Sequence, residues 1–358
     1  MIKRLLTALS LLAILAALLA SAAYTSLHVS YRGFRDPVIV EFPKGTSTQA
    51  MADTLAENGV IRYGWQFLLA RALRPGSRLQ AGEYRFAGAD TPSDILNRIA
   101  RGDVFFYEVV VPEGSNMFDI AAILARFDFL NPAEFLRAAR NPSLIRDLAP
   151  AAPTLEGYLF PATYRITRST TVHQLCAMMT GQFRKQWRQL EVGRAGQVPV
   201  NQTVTIASLV EKETGQPQER PIVASVYENR LRKGMTLDCD PTTIYAALLE
   251  ARYRGTIYRS DLASDNPYNT YRHAGLPPGP IANPGAAALR AALDPAETDY
   301  LYFVAKADGS GQHQFSVTMA QHDAAVAQYR RAMSKQADPP PPPPPPVEQH
   351  HRKHRRRA

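Results

Sequence analysis

An uninterrupted apolar segment near the N-terminus constrains this chain more than any other feature. Residues 5–24, LLTALSLLAILAALLASAAY, contain no charged side chain and directly follow Lys3 and Arg4. A segment of about 20 such residues is long enough to cross a bilayer as a helix, and basic residues ahead of it favour a cytoplasmic N-terminus. We therefore expect residues 1–25 to form a single-pass membrane anchor, with the rest of the chain outside the cytoplasm.

A removed signal peptide is the alternative explanation of the same segment. Ala20, Ser21 and Ala22 resemble the small-residue site at which such peptides are cleaved. Retention is favoured because the apolar run is longer than most signal-peptide cores and because no cysteine follows it for lipid attachment.

Much of the positive charge of the chain, +9 in total, lies at the C-terminus. Residues 348–358 carry five Lys and Arg residues and one Glu, and they follow an unbroken proline run at 339–346. Such a run adopts an extended polyproline structure and cannot join a packed core, so we expect residues 336–358 to be a disordered tail. Its basic tip either binds anionic wall polymer, lipid head groups or a protein, or only solubilises the chain. The remainder is mildly basic, which argues against a nucleic-acid partner.

An internal repeat organises the first half of the chain. Residues 38–56 and 107–125 match at an offset of 69, and each copy predicts a β-branched strand, a Pro-x-Gly turn and a helix. The hydroxyls of Thr46 and Ser115 are the predicted caps of the two helices.

The residues between the two copies complete a small module. Residues 63–73 and 93–101 predict helices, and residues 82–86 predict a strand. We therefore expect an α+β fold in which a small α/β module at 37–107 precedes a larger mixed α/β domain at 108–335.

One acidic side chain in the second half has the setting of a general acid. The segment 206–215, IASLVEKETG, predicts a helix with an apolar stripe and a stop at Gly215, and Glu211 borders that stripe. Glu213 lies about 200° further round a regular helix, so the two carboxyls cannot both face one cleft. Partial burial raises a carboxyl pKa, which suits a proton donor near neutral pH. The alternative is a solvated Glu-Lys-Glu helix end.

Three further runs are rich in aromatic, amide and proline residues, namely 155–164, 227–246 and 268–285. Aromatic rings with amide and hydroxyl groups on rigid loops suit carbohydrate, because sugars stack their apolar faces and offer hydroxyls at their edges. Each tyrosine alone is as easily explained by packing, so only the combination indicates a binding site.

Cysteine and histidine content suggests neither a disulfide scaffold nor a metal site. Cys176 and Cys239 are the only cysteines, and we expect both to be ordinary buried thiols. No metal is predicted, because five histidines along the body of the chain show no metal-ligand spacing: His28, His173, His273, His313 and His322.

Five motifs in order along the chain resemble the MltG/YceG-like family of endolytic murein transglycosylases. They are EGYLFP, VEKET, NRL-x-x-GM-x-L-x-x-DPT-x-IY, YNTY-x-x-x-GLPPGPI-x-NPG and YLYFVA. The resemblance spans residues 1 to about 330, and five motifs in order are far more specific than any one of them.

The resemblance implies an enzyme of the cell inner membrane, with its catalytic domain in the periplasm and a LysM-like module ahead of that domain. Such an enzyme cleaves nascent peptidoglycan glycan strands between N-acetylmuramic acid and N-acetylglucosamine and terminates their elongation. It needs no cofactor, and penicillin-binding proteins of the elongation machinery are its expected partners. The first Glu of VEKET, Glu211, is the catalytic residue that the resemblance implies. Motif membership alone adds seven candidate substrate-binding residues: Glu156, Tyr158, Asn229, Asp240, Tyr268, Asn269 and Tyr271.

A single acid fits a lytic transglycosylase better than a hydrolase. Most glycosidases use two carboxyls, one to protonate the leaving oxygen and one to act as nucleophile or to activate water. In a lytic transglycosylase Glu211 protonates the bridging oxygen and then accepts the proton of the muramyl C6 hydroxyl as that hydroxyl attacks C1. The product is a 1,6-anhydro ring, and proximity favours this internal hydroxyl over water.

Alternatives from other classes remain open. A hydrolase would recruit Glu156, Glu213, Asp238 or Asp240 as a second carboxyl. A catalytically inert scaffold would bind the wall through the module and the basic tail. A nucleic-acid binder is motivated only by the isoelectric point of 9.6. Asp238 and Cys239 depart from the family pattern, and Asp238 either tunes substrate preference or is simply solvated.

Overall fold

The computed structural model describes residues 2–192 and 199–337, and within them the chain forms a mixed α/β structure. The predicted polyproline and basic tail lies almost wholly outside the described residues. The apolar N-terminal segment is one exposed helix, α1 (Ile2–Ser26), whose length and composition are sufficient to cross a membrane.

The described residues divide into two compact units that are interleaved along the chain. The first comprises residues 1–112, 117–144 and 161–183, and the second comprises residues 113–116, 145–160 and 184 onwards. The separation of a module at 37–107 from a domain at 108–335 remains a prediction.

The first unit contains the strand and the helix of both copies of the repeat, whereas residues 113–116, in the turn of the second copy, belong to the second unit. Its elements are α1, β1 (Val38–Phe42), α2 (Thr48–Glu57), α3 (Gly64–Ala72), β2 (Gly82–Phe86), α4 (Pro92–Arg101), β3 (Tyr107–Val110), α5 (Met117–Leu124), α6 (Pro132–Ala139), β4 (Thr163–Ile166) and the start of α7 (Val172–Glu191). Strand β1 pairs antiparallel with β2, and β3 pairs antiparallel with β4. The predicted helices and strands between the two copies are therefore confirmed.

The cap of α2 differs from the prediction by one residue. Ser47, and not Thr46, is the N-cap, because the Ser47 hydroxyl accepts a hydrogen bond from Ala50 N–H at 3.1 Å. The Thr46 hydroxyl instead donates to the Pro43 carbonyl within the turn. Two adjacent hydroxyl residues offer the same capping chemistry, and the length of the turn decides which of them reaches the helix.

The second unit places its helices around α8, the helix that carries Glu211. Its elements after α7 are α8 (Val200–Glu213), α9 (Arg220–Arg232), α10 (Asp240–Leu249), α11 (Arg259–Leu262), α12 (Ala286–Leu293), β5 (Tyr302–Ala305), β6 (His313–Ser316) and α13 (Met319–Ala337). Helices α8, α9 and α12 pack against one another, and β5 and β6 form an antiparallel hairpin against α13. Every residue of α8 from Thr203 to Val210 is buried, so α8 is the central helix of this unit.

The helix predicted at 206–215 is confirmed. Compared with the prediction, it starts six residues earlier and ends two residues earlier. It begins at Val200, and its last residue is Glu213, with Thr214 in an extended conformation as the C-cap. The predicted stop, Gly215, therefore lies two residues beyond the helix. Both cysteines are free and buried, as predicted.

Candidate active site

Glu211 lies near the C-terminal end of α8, and both oxygens of its carboxyl have partners. Oε2 accepts a hydrogen bond from the backbone N–H of Gly285 at 2.9 Å, and Oε1 lies 3.2 Å from Nη2 of Arg220. Only 6% of the Glu211 side chain is exposed. The alternative of a solvated helix end is therefore wrong for Glu211, because its carboxyl is held by specific donors in a mostly buried setting.

Burial is the largest influence on the protonation of this carboxyl. Desolvation raises the pKa of Glu211, and the nearby Glu113 carboxyl raises it further. The Gly285 N–H bond and the charges of Arg220 and Lys212 lower it, but the pKa remains above the ordinary value for a glutamic acid. A raised pKa increases the fraction of Glu211 that carries a proton near neutral pH, which is the form a general acid needs.

Asn283 holds the loop that presents Gly285 to Glu211. Its side-chain oxygen accepts hydrogen bonds from Gly157 N–H and Leu159 N–H, both at 2.9 Å. Its amide group donates to the Ser115 carbonyl and to Glu156 Oε1, both at 2.8 Å. Asn283 is fully buried, so four side-chain hydrogen bonds connect three segments of the second unit directly beside the donor to Glu211.

Glu113 is a second carboxyl in this setting. It precedes Gly114 in the second copy of the Pro-x-Gly turn, and its carboxyl packs so closely on Gly285 that a Cβ added there would overlap it. Lys212 Nζ donates to the Gly114 carbonyl at 3.3 Å, and a Cβ added at Gly114 would lie 3.5 Å from Glu211 Cγ. The turn of the repeat thus reaches the end of α8 and surrounds Glu211 with charged groups.

A surface pocket adjoins this site through Arg220. It has a volume of about 560 Å³ and is lined by Pro217, Arg220, Pro221, Ala286, Ala287, Arg290, Ala291 and Asp294. A larger pocket of about 810 Å³, lined among others by Asp147, Asn201 and Pro277, does not include Glu211, Arg220 or Gly285. We associate the smaller pocket with the site, because one of its walls is the side chain that binds the Glu211 carboxyl.

Glu213 has a separate environment, as the 200° offset on the helix predicts. Its Oε1 accepts a hydrogen bond from Cys239 Sγ at 3.1 Å, and desolvation raises its pKa. Burial likewise raises the pKa of the Cys239 thiol well above its ordinary value. The two residues form a buried polar contact between α8 and the start of α10, away from the partners of Glu211.

Four of the seven predicted substrate-binding residues are buried and occupied by other groups. Glu156 is fully buried and bound to Asn283, and the Tyr158 hydroxyl donates to Asn201 Oδ1 at 2.9 Å. The amide of Asn229 donates to the Thr298 and Tyr300 carbonyls, and that of Asn269 donates to the Leu262 and Ser264 carbonyls. These side chains position loops in this conformation and offer no surface to a ligand.

Of the other three predicted residues, which lie beside α10, Asp240 and Tyr271 are exposed and Tyr268 is buried. The Tyr271 hydroxyl donates to Asp240 Oδ1 at 2.7 Å, and both residues are exposed. Tyr268 is largely buried and packs its ring 5.0 Å from that of Tyr245. Asp238 is half-exposed and forms an ion pair with Arg230 at 3.0 Å, so it is neither free in solvent nor bound to Glu211. No contact of Glu211 with Asp238, Asp240 or Tyr271 is present among the described residues.

Arg220, Gly285, Asn283 and Glu113 are the residues of this site that were not singled out from the sequence. Asn283 and Gly285 belong to the NPG end of the motif at 268–285. Glu113 is the middle residue of the Pro-x-Gly turn in the second copy of the repeat. Both motifs are visible in the sequence, but their residues are far from Glu211 along the chain, so the sequence does not show that they meet it. Among residues 2–192 and 199–337, no group of three or more His, Cys, Asp or Glu side chains is placed to hold a metal ion.

Comparisons with known proteins identify the same family that the sequence motifs resemble. Residues 40–328 match the sequence model of the YceG-like family. The endolytic murein transglycosylase of Bacillus subtilis is 32% identical over 309 residues, which cover 82% of this chain and 84% of that protein. The endolytic murein transglycosylase of Streptococcus pneumoniae is 29% identical over 321 residues, covering 82% of this chain and 58% of that protein.

A solved structure is similar over most of the chain. The crystal structure of a YceG-like protein from Listeria monocytogenes superposes with a TM-score of 0.51 at 30% identity, covering 81% of this chain and 99% of that one. The match of the family model extends over far more than half of the sequence and includes Glu113, Glu211, Arg220 and Gly285. The chain belongs to the YceG-like family.

Proposed function

We propose that this protein is an endolytic peptidoglycan lytic transglycosylase that cleaves the bond between N-acetylmuramic acid and N-acetylglucosamine. The observation that carries the proposal is the setting of Glu211, a mostly buried carboxyl with a raised pKa and two fixed donors. The relatives named endolytic murein transglycosylase, at 29–32% identity over most of this chain, support the same reaction.

In the first step protonated Glu211 donates its proton to the glycosidic oxygen, and the bond from that oxygen to C1 of the muramyl residue breaks. Positive charge then develops at C1 and the ring oxygen while Glu211 becomes a carboxylate. Gly285 N–H and Arg220 are placed to stabilise that carboxylate, because both already contact its oxygens. Fixed donors of this kind require no reorganisation when the charge appears.

In the second step the C6 hydroxyl of the same muramyl residue attacks C1 and loses its proton to Glu211. The bond formed closes a 1,6-anhydro ring, and Glu211 returns to its protonated state without any added reactant. The hydroxyl is already attached to the reacting sugar, so its attack avoids the entropy of recruiting a water molecule.

Because Glu113 lies close to Glu211, the chemical form of the product must distinguish a transglycosylase from a hydrolase. A hydrolase needs a second carboxyl, and the Glu113 carboxyl both packs on Gly285 and influences the pKa of Glu211. Glu156 and Glu213 are engaged by Asn283 and Cys239 instead.

The test is mass analysis of uncross-linked glycan strands digested by the purified full-length protein. We expect internal cleavage, with new ends that are lighter by one water than the ends produced by hydrolysis. Products with reducing ends would contradict the transglycosylase reaction and would make Glu113 the first candidate for the second carboxyl. No cleavage by folded protein would favour an inert wall-binding scaffold.

Two of the charged neighbours of Glu211, Arg220 and Glu113, predict opposite shifts of the pH profile. Glu211 must be protonated for the first step, so activity falls as the pH rises through its pKa. Arg220→Gln removes a charge that lowers this pKa, so we expect the alkaline limb of kcat/KM to move to higher pH. Glu113→Gln removes a charge that raises the pKa, so its alkaline limb should move to lower pH.

A suitable control for this pair is Arg290→Gln, which removes a positive charge from the same pocket wall. Arg290 is not among the groups with the largest influence on the Glu211 pKa, so the alkaline limb of this variant should stay close to the wild-type position. Shifts in the same direction for Arg220→Gln and Glu113→Gln would contradict the assignment of the limb to Glu211.

We also propose that α1 anchors the enzyme in the cell inner membrane, with its N-terminus in the cytoplasm and its catalytic residues in the periplasm. Lys3 and Arg4 ahead of the apolar run support this orientation. A LysM-like character of the module at 37–107, action as a terminator of glycan elongation, and association with penicillin-binding proteins belong to the same proposal, and the family supports them by analogy. A periplasm-specific reporter fused to the C-terminus tests the orientation.

A further inference from the structure

The end of helix α1 is built into the first unit and is not a loose tether. Leu27, the residue after the helix, is buried in the same hydrophobic core as Leu55 and Phe67. The Ser93 N–H donates to the Leu27 carbonyl at 3.3 Å. The Gln66 side-chain amide donates to the carbonyl of Ser26, the last residue of α1, also at 3.3 Å. These contacts fix helix α3 beside the end of α1.

The length of α1 sets the depth at which these contacts lie. The apolar run 5–24 rises about 30 Å as a helix, which matches the hydrocarbon thickness of a bilayer. With residues 5–24 spanning the hydrocarbon, Tyr24 would lie at its boundary and Ser26 about 3 Å beyond it. Because Gln66 contacts Ser26, the first turn of α3 would then lie at the level of the lipid head groups.

Aromatic side chains are exposed at this level. Tyr63, the N-cap of α3, and Trp65, in its first turn, are 54% and 46% exposed, and their rings stack with centroids 6.4 Å apart. Tyr24 is 56% exposed on α1 itself. Arg62 is also exposed, and its guanidinium lies over the Tyr31 ring at 5.2 Å. Tyrosine and tryptophan favour the membrane interface because they combine an apolar body with a polar edge, and arginine is attracted to anionic head groups.

We propose that Tyr24, Arg62, Tyr63 and Trp65 form an interfacial patch that rests in the head-group region of an anionic phospholipid bilayer. The patch holds the first unit against the membrane surface, so that this unit cannot swing freely on α1. The proposal depends on α1 crossing the membrane and goes beyond glycan cleavage. Stacked aromatic rings also suit sugars, but the hydrogen bond that joins α3 to the end of a membrane-length helix favours lipid as the occupant.

Tryptophan fluorescence of the full-length protein in vesicles tests the patch directly. The chain has two tryptophans, and Trp187 is fully buried, so the difference between wild type and Trp65→Phe reports Trp65. The vesicles contain phosphatidylethanolamine and phosphatidylglycerol, with or without phosphatidylcholine brominated on the acyl carbons nearest the head group. We expect the brominated lipid to quench the Trp65 component, and aqueous iodide to quench it only weakly.

A matched control moves the tryptophan to another exposed aromatic position. Tyr258, 43% exposed in the second unit, is changed in the variant Trp65→Phe/Tyr258→Trp, and a patch confined to the first unit predicts weaker quenching of this tryptophan by brominated lipid than of Trp65. Equal lipid quenching at both positions would contradict a specific patch.

Three other outcomes would overturn the proposal. They are strong iodide quenching of Trp65 without lipid quenching, failure of the intact chain to float with the vesicles, and a Trp65 response to soluble glycan fragments in place of lipid. Glycan cleavage is measured separately on the same vesicles, so loss of the proposed activity would leave the result for the patch unaffected.

Discussion

Glu211→Gln is expected to lower kcat for glycan cleavage by about 100- to 10,000-fold, the contribution typical of a general acid. Glutamine keeps the shape of the side chain and can still accept the Gly285 N–H bond that Glu211 makes, so the protein should fold normally. It has no proton to donate to the glycosidic oxygen. The measurement is the rate at which 1,6-anhydro ends appear, together with a thermal melt that confirms folding.

The same chemical change two residues further along α8 provides the control. Glu213 binds the Cys239 thiol and faces away from the partners of Glu211, and a glutamine oxygen can still accept that bond. Glu213→Gln should therefore retain most of the activity. Equal and severe loss in both variants would indicate damage to the helix and would contradict the assignment of Glu211 as the acid. Unchanged turnover in Glu211→Gln would contradict the proposed mechanism itself.

The parts of the fold that could be predicted from the sequence depend on local patterns. The two copies of the repeat appear as β1 with α2 and as β3 with α5, because alternation, turn residues and helical periodicity are properties of short segments. The position of Glu211 on a largely buried helix follows from the same kind of pattern. Where two local choices were equivalent, as for Thr46 and Ser47, the pattern could not select between them.

The rest of the site could not be predicted, because its contacts join segments far apart along the chain. Asn283 binds Ser115, Glu156, Gly157 and Leu159, all more than 120 positions away. Nothing in the NPG motif by itself indicates these partners. Motif membership does not by itself distinguish residues that face a ligand from residues that hold a loop, because buried backbone groups require the same amide and hydroxyl partners that sugars do.

Gly157→Ala is expected to destabilise the protein by about 2–5 kcal/mol, the sum of a backbone cost and an overpacking cost. Gly157 has a φ of +88°, a conformation that residues with a Cβ rarely adopt. An added Cβ would overlap the Pro280 ring and lie 2.8 Å from Val204 Cγ1. A proline ring and a branched side chain on a buried helix cannot move aside easily, so the melting temperature should fall by roughly 10 °C.

Gly234→Ala is a control that measures the backbone cost without the overpacking cost. Gly234 has a φ of +65°, but an added Cβ there would meet no atom within 4 Å, so only the backbone cost of about 1–2 kcal/mol should appear. Equal destabilisation by both variants would contradict the close packing at Gly157.

The packing at Gly157 also reaches the chemistry. The Gly157 N–H binds Asn283, and Asn283 lies two residues before the Gly285 N–H that holds Glu211. Below its own melting temperature Gly157→Ala should therefore lose activity while Gly234→Ala keeps it. That difference would establish that the EGYLFP loop acts by positioning the loop of Asn283 and Gly285 against the acid.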